Sequence, residues 1–151
     1  SQEDQLKLID ILCKKEHEAL KKEGAPVYEN MEEVLKELSG RFPLFIVSNC
    51  QKGYIEVLMR SCNLEEYITD IECYGNTGLS KADNISMVIQ RNHLDQSFYV
   101  ADTAMDAEAA AGAGIPFVHA AYGFGQVNGA EAVIREFGEL LQLSKKLLGE
   151  D

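Results

Sequence analysis

Five residues have side chains that suit phosphate chemistry. Four of them lie just after apolar segments of the sequence, and one lies at the end of a glycine-containing stretch. Ser48 and Asn49 follow the apolar segment 44–47, Asp102 follows segment 98–101 with Asp106 four residues further on, and Lys81 ends the glycine-containing stretch 75–81. Two carboxylates with that spacing at a helix start can hold Mg²⁺ directly or through water. A lysine and a serine hydroxyl supply the positive charge and the hydrogen bond that a transferring phosphoryl group needs.

Each of these residues alone has an ordinary structural explanation. Ser48 and Asn49 are typical of a turn or a helix cap, and Lys81 beside glycines is typical of a solvated loop. Asp102 and Asp106 could be an N-cap and a first-turn acid that the helix dipole stabilises. Their common placement at one rim favours a site, because ligands of open parallel sheets bind beyond the carboxyl ends of the strands.

Apolar segments alternate with amphipathic ones, which predicts an α/β, doubly wound, mostly parallel Rossmann-like fold. Predicted strands cover residues 44–47, 69–73, 98–101 and 115–120. Predicted helices cover residues 3–22, 54–62, 82–92 and 105–113. A further helix is expected between a cap at Asn30 and a stop at Gly40, and a last amphipathic helix is expected to begin near Gly129.

Charge and cysteine usage restrict the partners. The formal net charge of -11 argues against a nucleic-acid surface or an acidic-membrane surface, so an anionic ligand must be bound by local groups. The four cysteines form no Cys-x-x-Cys pair, which indicates free thiols in a reducing cytoplasm rather than a zinc site. The sequence shows no signal peptide and no membrane-spanning run, so we expect a cytoplasmic protein.

Three segments resemble the motifs of the haloacid dehalogenase (HAD) superfamily. Residues 45–49, Phe-Ile-Val-Ser-Asn, resemble its second motif, and residues 78–81, Gly-Leu-Ser-Lys, resemble its third. Residues 99–106, Tyr-Val-Ala-Asp-Thr-Ala-Met-Asp, resemble its fourth, with Ala101 where the family usually has glycine. Spacing and flanks, including Ala-Tyr-Gly-Phe-Gly at residues 121–125, are most similar to the phosphoglycolate-phosphatase-like branch.

The resemblance implies a magnesium-dependent phosphomonoester hydrolase that acts through an aspartyl-phosphate. By this resemblance Lys81 would pair with phosphate and nucleophile, Ser48 would donate to a phosphate oxygen, and Asn49 would shape the same loop. Asp102 would bind Mg²⁺ and Asp106 would support it. The substrate would be a small phosphorylated metabolite, and phosphoglycolate, a sugar phosphate and a nucleotide are all compatible with the residues present.

The family's first motif, Asp-x-Asp-Gly-Thr after an apolar strand, has no counterpart in the sequence. By resemblance, residues 1–24 are a remnant of the helical cap, residues 25–151 are the core without its first strand, and the chain alone is expected to be inactive. That strand would lie between the strands ending at Ser48 and Asp102. We therefore expect a missing N-terminal segment, pairing with another chain as in a swapped homodimer, or direct closure of the gap.

Two other interpretations remain open. One is a non-catalytic, truncated HAD relative that binds phosphate or a protein partner through the surviving residues. The other is an unrelated doubly wound binding domain whose strand-end residues coincide by chance. Loss of Mg²⁺ binding on substitution of Asp102 would separate both HAD interpretations from the last one.

Overall fold

The computed structural model describes residues 30–149, so the helix expected at residues 3–22 and the cap remnant at 1–24 lie outside the described residues. The helices are α1 (Met31–Ser39), α2 (Tyr54–Ser61), α3 (Tyr74–Thr77), α4 (Lys81–Arg91), α5 (Ala104–Gly112) and α6 (Leu140–Leu148). The strands are β1 (Phe45–Ser48), β2 (Asp70–Cys73), β3 (Tyr99–Ala101), β4 (Phe117–Ala120) and β5 (Ala132–Ile134). This alternation confirms the predicted doubly wound α/β fold.

The five strands form two parallel sheets, and no strand of one sheet pairs through its backbone with a strand of the other. β1 pairs with β2, and β4 lies between β3 and β5. Within residues 30–149, β1 and β3 therefore each have one edge without a strand partner, and direct closure of the gap by backbone pairing does not occur. A side chain spans the gap instead, because Tyr99 Oη donates a hydrogen bond of 2.7 Å to the carbonyl oxygen of Val47.

Three apolar clusters pack the helices onto these strands. Val118 of β4 and Ile134 of β5 are almost fully buried against α1 and α6. Ile55 of α2 anchors a second cluster beside β2, and Ile85 of α4 packs on Val47 of β1 in the third. All four residues of β4 are buried, as expected for the interior strand of a parallel sheet. None of the helices between residues 30 and 149 is long and apolar enough to cross a bilayer.

Two local expectations need correction. Asn30 stands at the N-cap position of α1, as expected, but its side chain makes no capping hydrogen bond and its backbone is left-handed, φ 61°. The helix expected near Gly129 begins only at Leu140, because the apolar triplet 132–134 pairs with β4 as strand β5 and Glu136 is extended at φ -144°.

Candidate functional site

Lys81 and Asp106 form the centre of the candidate site. Lys81 is the first residue of α4, and its ammonium group forms an ion pair with Asp106 in the first turn of α5. The exposed fractions of the two side chains are 16% and 8%, so the pair is shielded from water and its attraction is stronger than that of a surface pair. Lys81 Nζ also lies 5.9 Å from the centroid of the Tyr99 ring. The structure thus joins two predicted site residues that are 25 positions apart.

The charges of this pair are set by its surroundings. Burial raises the pKa of Asp106, but the hydrogen bond from Lys81, the hydrogen bonds from Thr103 and the charge of Lys81 outweigh burial, so the pKa lies below its usual range. Burial, with the negative charges of Asp106 and Asp102, holds the pKa of Tyr99 well above its usual range. Asp106 is therefore an anion and Tyr99 a neutral phenol at physiological pH.

Thr103, rather than Asp102, caps α5. Thr103 Oγ1 accepts a hydrogen bond from the Asp106 backbone N–H at 3.2 Å. Asp106 Oδ2 in turn accepts from the Thr103 backbone N–H at 3.3 Å and from its hydroxyl at 2.6 Å. This is a capping box, and its signal, a threonine followed three residues later by an acid, was present in the sequence. Both carboxylate oxygens of Asp106 are consequently engaged, one by Lys81 and the other by Thr103.

Asp102 follows β3 and is held by the loop after β4. Its Oδ2 accepts a hydrogen bond of 2.7 Å from the backbone N–H of Phe124. A Cβ atom at Gly123 would overlap the Asp102 side chain, and one at Gly125 would overlap the Asp102 carbonyl oxygen, so glycine permits this approach. His119 Nε2 lies 3.3 Å from the Gly125 carbonyl oxygen and fixes the same loop. No residue within 30–149 donates a hydrogen bond to Asp102 Oδ1, which leaves that oxygen available to a ligand.

Ser48 is the last residue of β1, and Asn49 follows it. Ser48 Oγ accepts a hydrogen bond of 3.3 Å from the Cys50 backbone N–H. Asn49 is exposed. Among the described residues, neither makes a hydrogen bond to Lys81, Asp102 or Asp106. Tyr99 contacts both groups. Its hydroxyl donates to the carbonyl oxygen of Val47, next to Ser48, and its ring lies beneath the Lys81 ammonium.

The donor set near β3 fits Mg²⁺ at Asp102 better than at Asp106. Mg²⁺ commonly keeps several waters and uses only one or two carboxylates together with substrate phosphate oxygens. The described residues contain no group of three or more His, Cys, Asp or Glu side chains that could hold a metal. Asp102 offers a carboxylate oxygen, whereas both oxygens of Asp106 are engaged by Lys81 and Thr103. Asp106 is thus better suited to hold Lys81 than to contact the ion.

Three further residues were not predicted as parts of the site. Tyr99 contacts Lys81 and bridges the two sheets, while Thr77 and Asn84 hold the segment that leads into α4. The hydrogen bond from Tyr99 to Val47 joins positions that are 52 residues apart, and nothing in the sequence near either residue indicates it. An asparagine among the apolar positions of a helix, as Asn84 is, was a signal that could have been used, because a buried amide needs partners.

The sequence profile of the haloacid dehalogenase-like hydrolase family matches residues 1–120. This match covers well over half of the chain, and the chain belongs to that family. The assignment confirms the resemblance that the three motifs indicated. A search among curated proteins found no match.

Solved structures of HAD hydrolases share the fold. A subfamily IA HAD-superfamily hydrolase of Geobacter sulfurreducens is 22% identical, with a TM-score of 0.68 over 77% of this chain and 55% of that one. A predicted phosphoglycolate phosphatase of Haemophilus somnus is 18% identical, with a TM-score of 0.70 over 79% and 57%. A HAD-hydrolase of Bacillus subtilis, solved bound to magnesium, is 18% identical, with a TM-score of 0.74 over 86% and 60%. This chain thus spans little more than half the length of these relatives, and identities this low show the fold alone.

Proposed function

We propose that this chain carries the phosphate-binding and magnesium-binding part of a HAD-type phosphomonoester hydrolase. The observation that carries the proposal is the shielded Lys81–Asp106 pair, which fixes an ammonium group beside the end of β3, where Asp102 stands. Membership of the hydrolase family supports hydrolysis as the reaction class. The phosphatases among the structural relatives support a phosphate ester as the substrate class.

Each residue has a proposed role, which for Ser48 and Asn49 comes from the family resemblance. Lys81 would neutralise charge on the phosphoryl oxygens, and the hydroxyl of Ser48 would donate to one of them, while Asn49 would shape the same loop. Asp106 keeps the Lys81 ammonium in place through their ion pair. Asp102 would hold Mg²⁺, which supplies a Lewis acid for the phosphoryl oxygens when bound.

Turnover through an aspartyl-phosphate needs a nucleophilic aspartate and a second aspartate as acid and base. The 151 residues contain no Asp-x-Asp-Gly-Thr segment, and we assign neither role to any aspartate among them. We therefore propose that this stretch of chain binds phosphate but needs an aspartate from outside it for hydrolysis. The substrate class that fits is a small phosphorylated metabolite of the cytoplasm, with phosphoglycolate as one member.

Phosphate binding tests this proposal directly. Inorganic phosphate is titrated calorimetrically into the 151-residue chain in MgCl₂, and wild type is expected to bind. Lys81→Gln should weaken the affinity about 100-fold, since a charge-assisted hydrogen bond contributes about 2–3 kcal/mol. Lys36→Gln, which removes the same charge from an exposed position of α1, is the matched control and should bind as wild type does.

A second titration, with Mg²⁺ alone, tests the metal role. Asp102→Asn should abolish Mg²⁺ binding, and Mg²⁺ should no longer strengthen phosphate binding in that variant. Equal phosphate affinity of Lys81→Gln and Lys36→Gln would contradict the proposed site. Lys81-dependent turnover of p-nitrophenyl phosphate by the 151-residue chain would leave the site intact but overturn the need for an outside aspartate.

One alternative is a non-catalytic HAD relative that binds phosphate or a protein partner through the same residues. This alternative shares the binding site and differs only in turnover. A form of the protein extended by whatever residues precede residue 1 in its reading frame separates the two. Phosphate binding without turnover by that form would favour the alternative, and turnover would exclude it.

A further inference from the structure

Lys81 is preceded by a segment, residues 74–80, whose position depends on polar contacts. Helix α3 has only four residues, and a helix so short is not stable without tertiary support. Gly78 ends it in a left-handed conformation, φ 68°, and Ser80 then caps α4 through a hydrogen bond from the Asp83 backbone N–H. Residues 78–80 are exposed, so apolar packing cannot fix the entry of the chain into Lys81.

Asn84, one turn after Lys81 on α4, supplies the fixation. Its exposed fraction is 0%. Thr77 Oγ1 donates to Asn84 Oδ1 at 2.8 Å, Asn84 Nδ2 donates to the Leu79 carbonyl oxygen at 3.4 Å, and the Leu79 backbone N–H donates to Thr77 Oγ1 at 3.1 Å. These three bonds close a ring. The alternative acceptor for the single Thr77 proton, the Cys73 carbonyl oxygen, is farther away at 3.4 Å.

The other side of α3 is held at the end of β2 and against the Ser48 loop. Asn76 Nδ2 donates to Glu72 Oε1 at 3.1 Å, and Glu72 is itself buried. The Gly75 backbone N–H donates to the Cys50 carbonyl oxygen at 3.0 Å, and a Cβ atom at Gly75 would overlap the backbone of Lys52. The segment therefore lies between the loop that follows Ser48 and the helix that begins with Lys81.

We propose that Asn84 and Thr77 are positioning residues for phosphate binding by Lys81, an inference that rests on the function proposed above. Neither residue touches phosphate. They act through the backbone of residues 78–80, which they lock so that the Lys81 ammonium meets Asp106 on one side and phosphate on the other. A fully buried amide is unfavourable unless its groups are paired, and in the described part its side-chain partners all belong to this segment.

A pair of substitutions at Thr77 tests the proposal. Thr77→Val removes the hydroxyl while keeping the shape of the side chain, and Thr77→Ser keeps the hydroxyl. Thr77→Val should weaken phosphate affinity about tenfold, which corresponds to the loss of one to two hydrogen bonds. Thr77→Ser should restore wild-type affinity. The affinity for Mg²⁺ alone should be unchanged in both variants, because Asp102 is held by a different loop.

A second measurement needs no ligand and reports on Lys81 itself. The ammonium group of Lys81, paired with Asp106 and shielded from water, should give a resolved side-chain ¹H–¹⁵N signal, assigned by its absence in Lys81→Gln. The signal should persist in Thr77→Ser and broaden or shift in Thr77→Val. If Thr77→Val does not fold, Asn84→Asp takes its place, because it keeps the acceptor for Thr77 and loses the donor to Leu79.

The outcomes separate the two proposals. Equal phosphate affinities of Thr77→Val and Thr77→Ser would overturn the positioning role, as would parallel losses of phosphate and Mg²⁺ affinity. If wild type binds no phosphate, the proposed function fails, and the ammonium signal still decides the positioning. A Lys81 ammonium signal that changes in Thr77→Val but not in Thr77→Ser would support the positioning role of Thr77. An unchanged signal in Thr77→Val would overturn it.

Discussion

Both ends of helix α4 carry a cation that is paired with carboxylates, but the helix dipole acts on the two cations in opposite ways. At the C-terminal end Arg91 pairs with Asp70 and Glu72, while at the N-terminal end Lys81 pairs with Asp106. The helix dipole favours a cation in the last turn and opposes one in the first. Arg91 therefore stands where electrostatics would place it, whereas Lys81 stands where the backbone disfavours its charge.

The two cations also differ in how completely they are bonded. Arg91 donates to Asp70 at 2.6 and 3.0 Å, to Glu72 at 2.6 Å and to the Ile71 carbonyl oxygen at 2.7 Å, which leaves little for a ligand. Within residues 30–149, Asp106 is the only hydrogen-bond acceptor of Lys81. Arg91, whose donors are almost all used, holds the C-terminal end of α4 against β2. Lys81 has donors left over at a helix end that disfavours its charge, and such a cation can bind an anion.

The largest expected effect on stability comes from Arg91, at the C-terminal end of α4. Arg91→Gln should lower the free energy of unfolding by about 2–3 kcal/mol, because buried Glu72 loses its counter-charge. Phosphate affinity should not change. Urea unfolding and calorimetry measure the two quantities. Arg60→Gln, at an exposed pair with Glu65, is the control and should lose less than about 0.5 kcal/mol. Equal losses in the two variants would remove the distinction between the Arg91 ion pairs and a surface pair.

The effect of Arg91→Gln should depend on pH. Burial raises the pKa values of Asp70 and Glu72, but the bonds and charge of Arg91, together with other hydrogen bonds to each carboxylate, outweigh burial and hold both pKa values below their usual values of 3.8 and 4.5. Groups with a lowered folded-state pKa stabilise the fold above the unfolded value, and this contribution is lost as pH falls through the folded value. The stability difference between wild type and Arg91→Gln should thus be full at neutral pH and shrink in acid. Urea titrations between about pH 7 and pH 3 would reveal it, and a constant difference would contradict it.

Lys81→Gln should differ from Arg91→Gln, with a large loss of phosphate affinity and a smaller loss of stability. We expect the free energy of unfolding to fall by about 1–2 kcal/mol, because one carboxylate rather than two loses its counter-charge, Thr103 still donates to Asp106, and the disfavoured charge at the helix N-terminus is removed. Urea unfolding measures the loss. A decrease as large as that of Arg91→Gln would show that Lys81 is a structural cation as well.

The smallest effect is expected at Tyr99, between the two sheets. Tyr99→Phe keeps the ring under Lys81 and removes the hydrogen bond to Val47, so stability should fall by about 0.5–1 kcal/mol. Phosphate affinity should stay close to that of wild type. Thermal or urea unfolding and calorimetry test both statements. A loss of phosphate affinity comparable to that of Lys81→Gln would show that the hydroxyl, and not only the ring, serves the site.

Elements with a strong local pattern were predictable to within a residue or two. α4 was expected at residues 82–92 and spans Lys81–Arg91, because Ile85 and Val88 recur at helical spacing between polar residues. β5 was missed because three apolar residues can serve a helix or a strand, and only pairing with β4 decides between them. The contact between Lys81 and Asp106 could not be predicted either, since it depends on how α4 and α5 pack. The strand ends placed the candidate residues on one rim, but tertiary contacts decide which of them meet.

The separation of the two sheets has a consequence for how the molecule opens. β4 is hydrogen-bonded on both sides, whereas β1 has β2 as its only strand partner within the described part. Strands with fewer partners open more readily, so the amides of β1 should exchange their hydrogens with solvent sooner than those of β4. A ligand held by Ser48 at the end of β1 and, through Mg²⁺, by Asp102 after β3 would link the ends of the two sheets. Binding of this ligand should then slow amide hydrogen exchange in β1 much more than in β4.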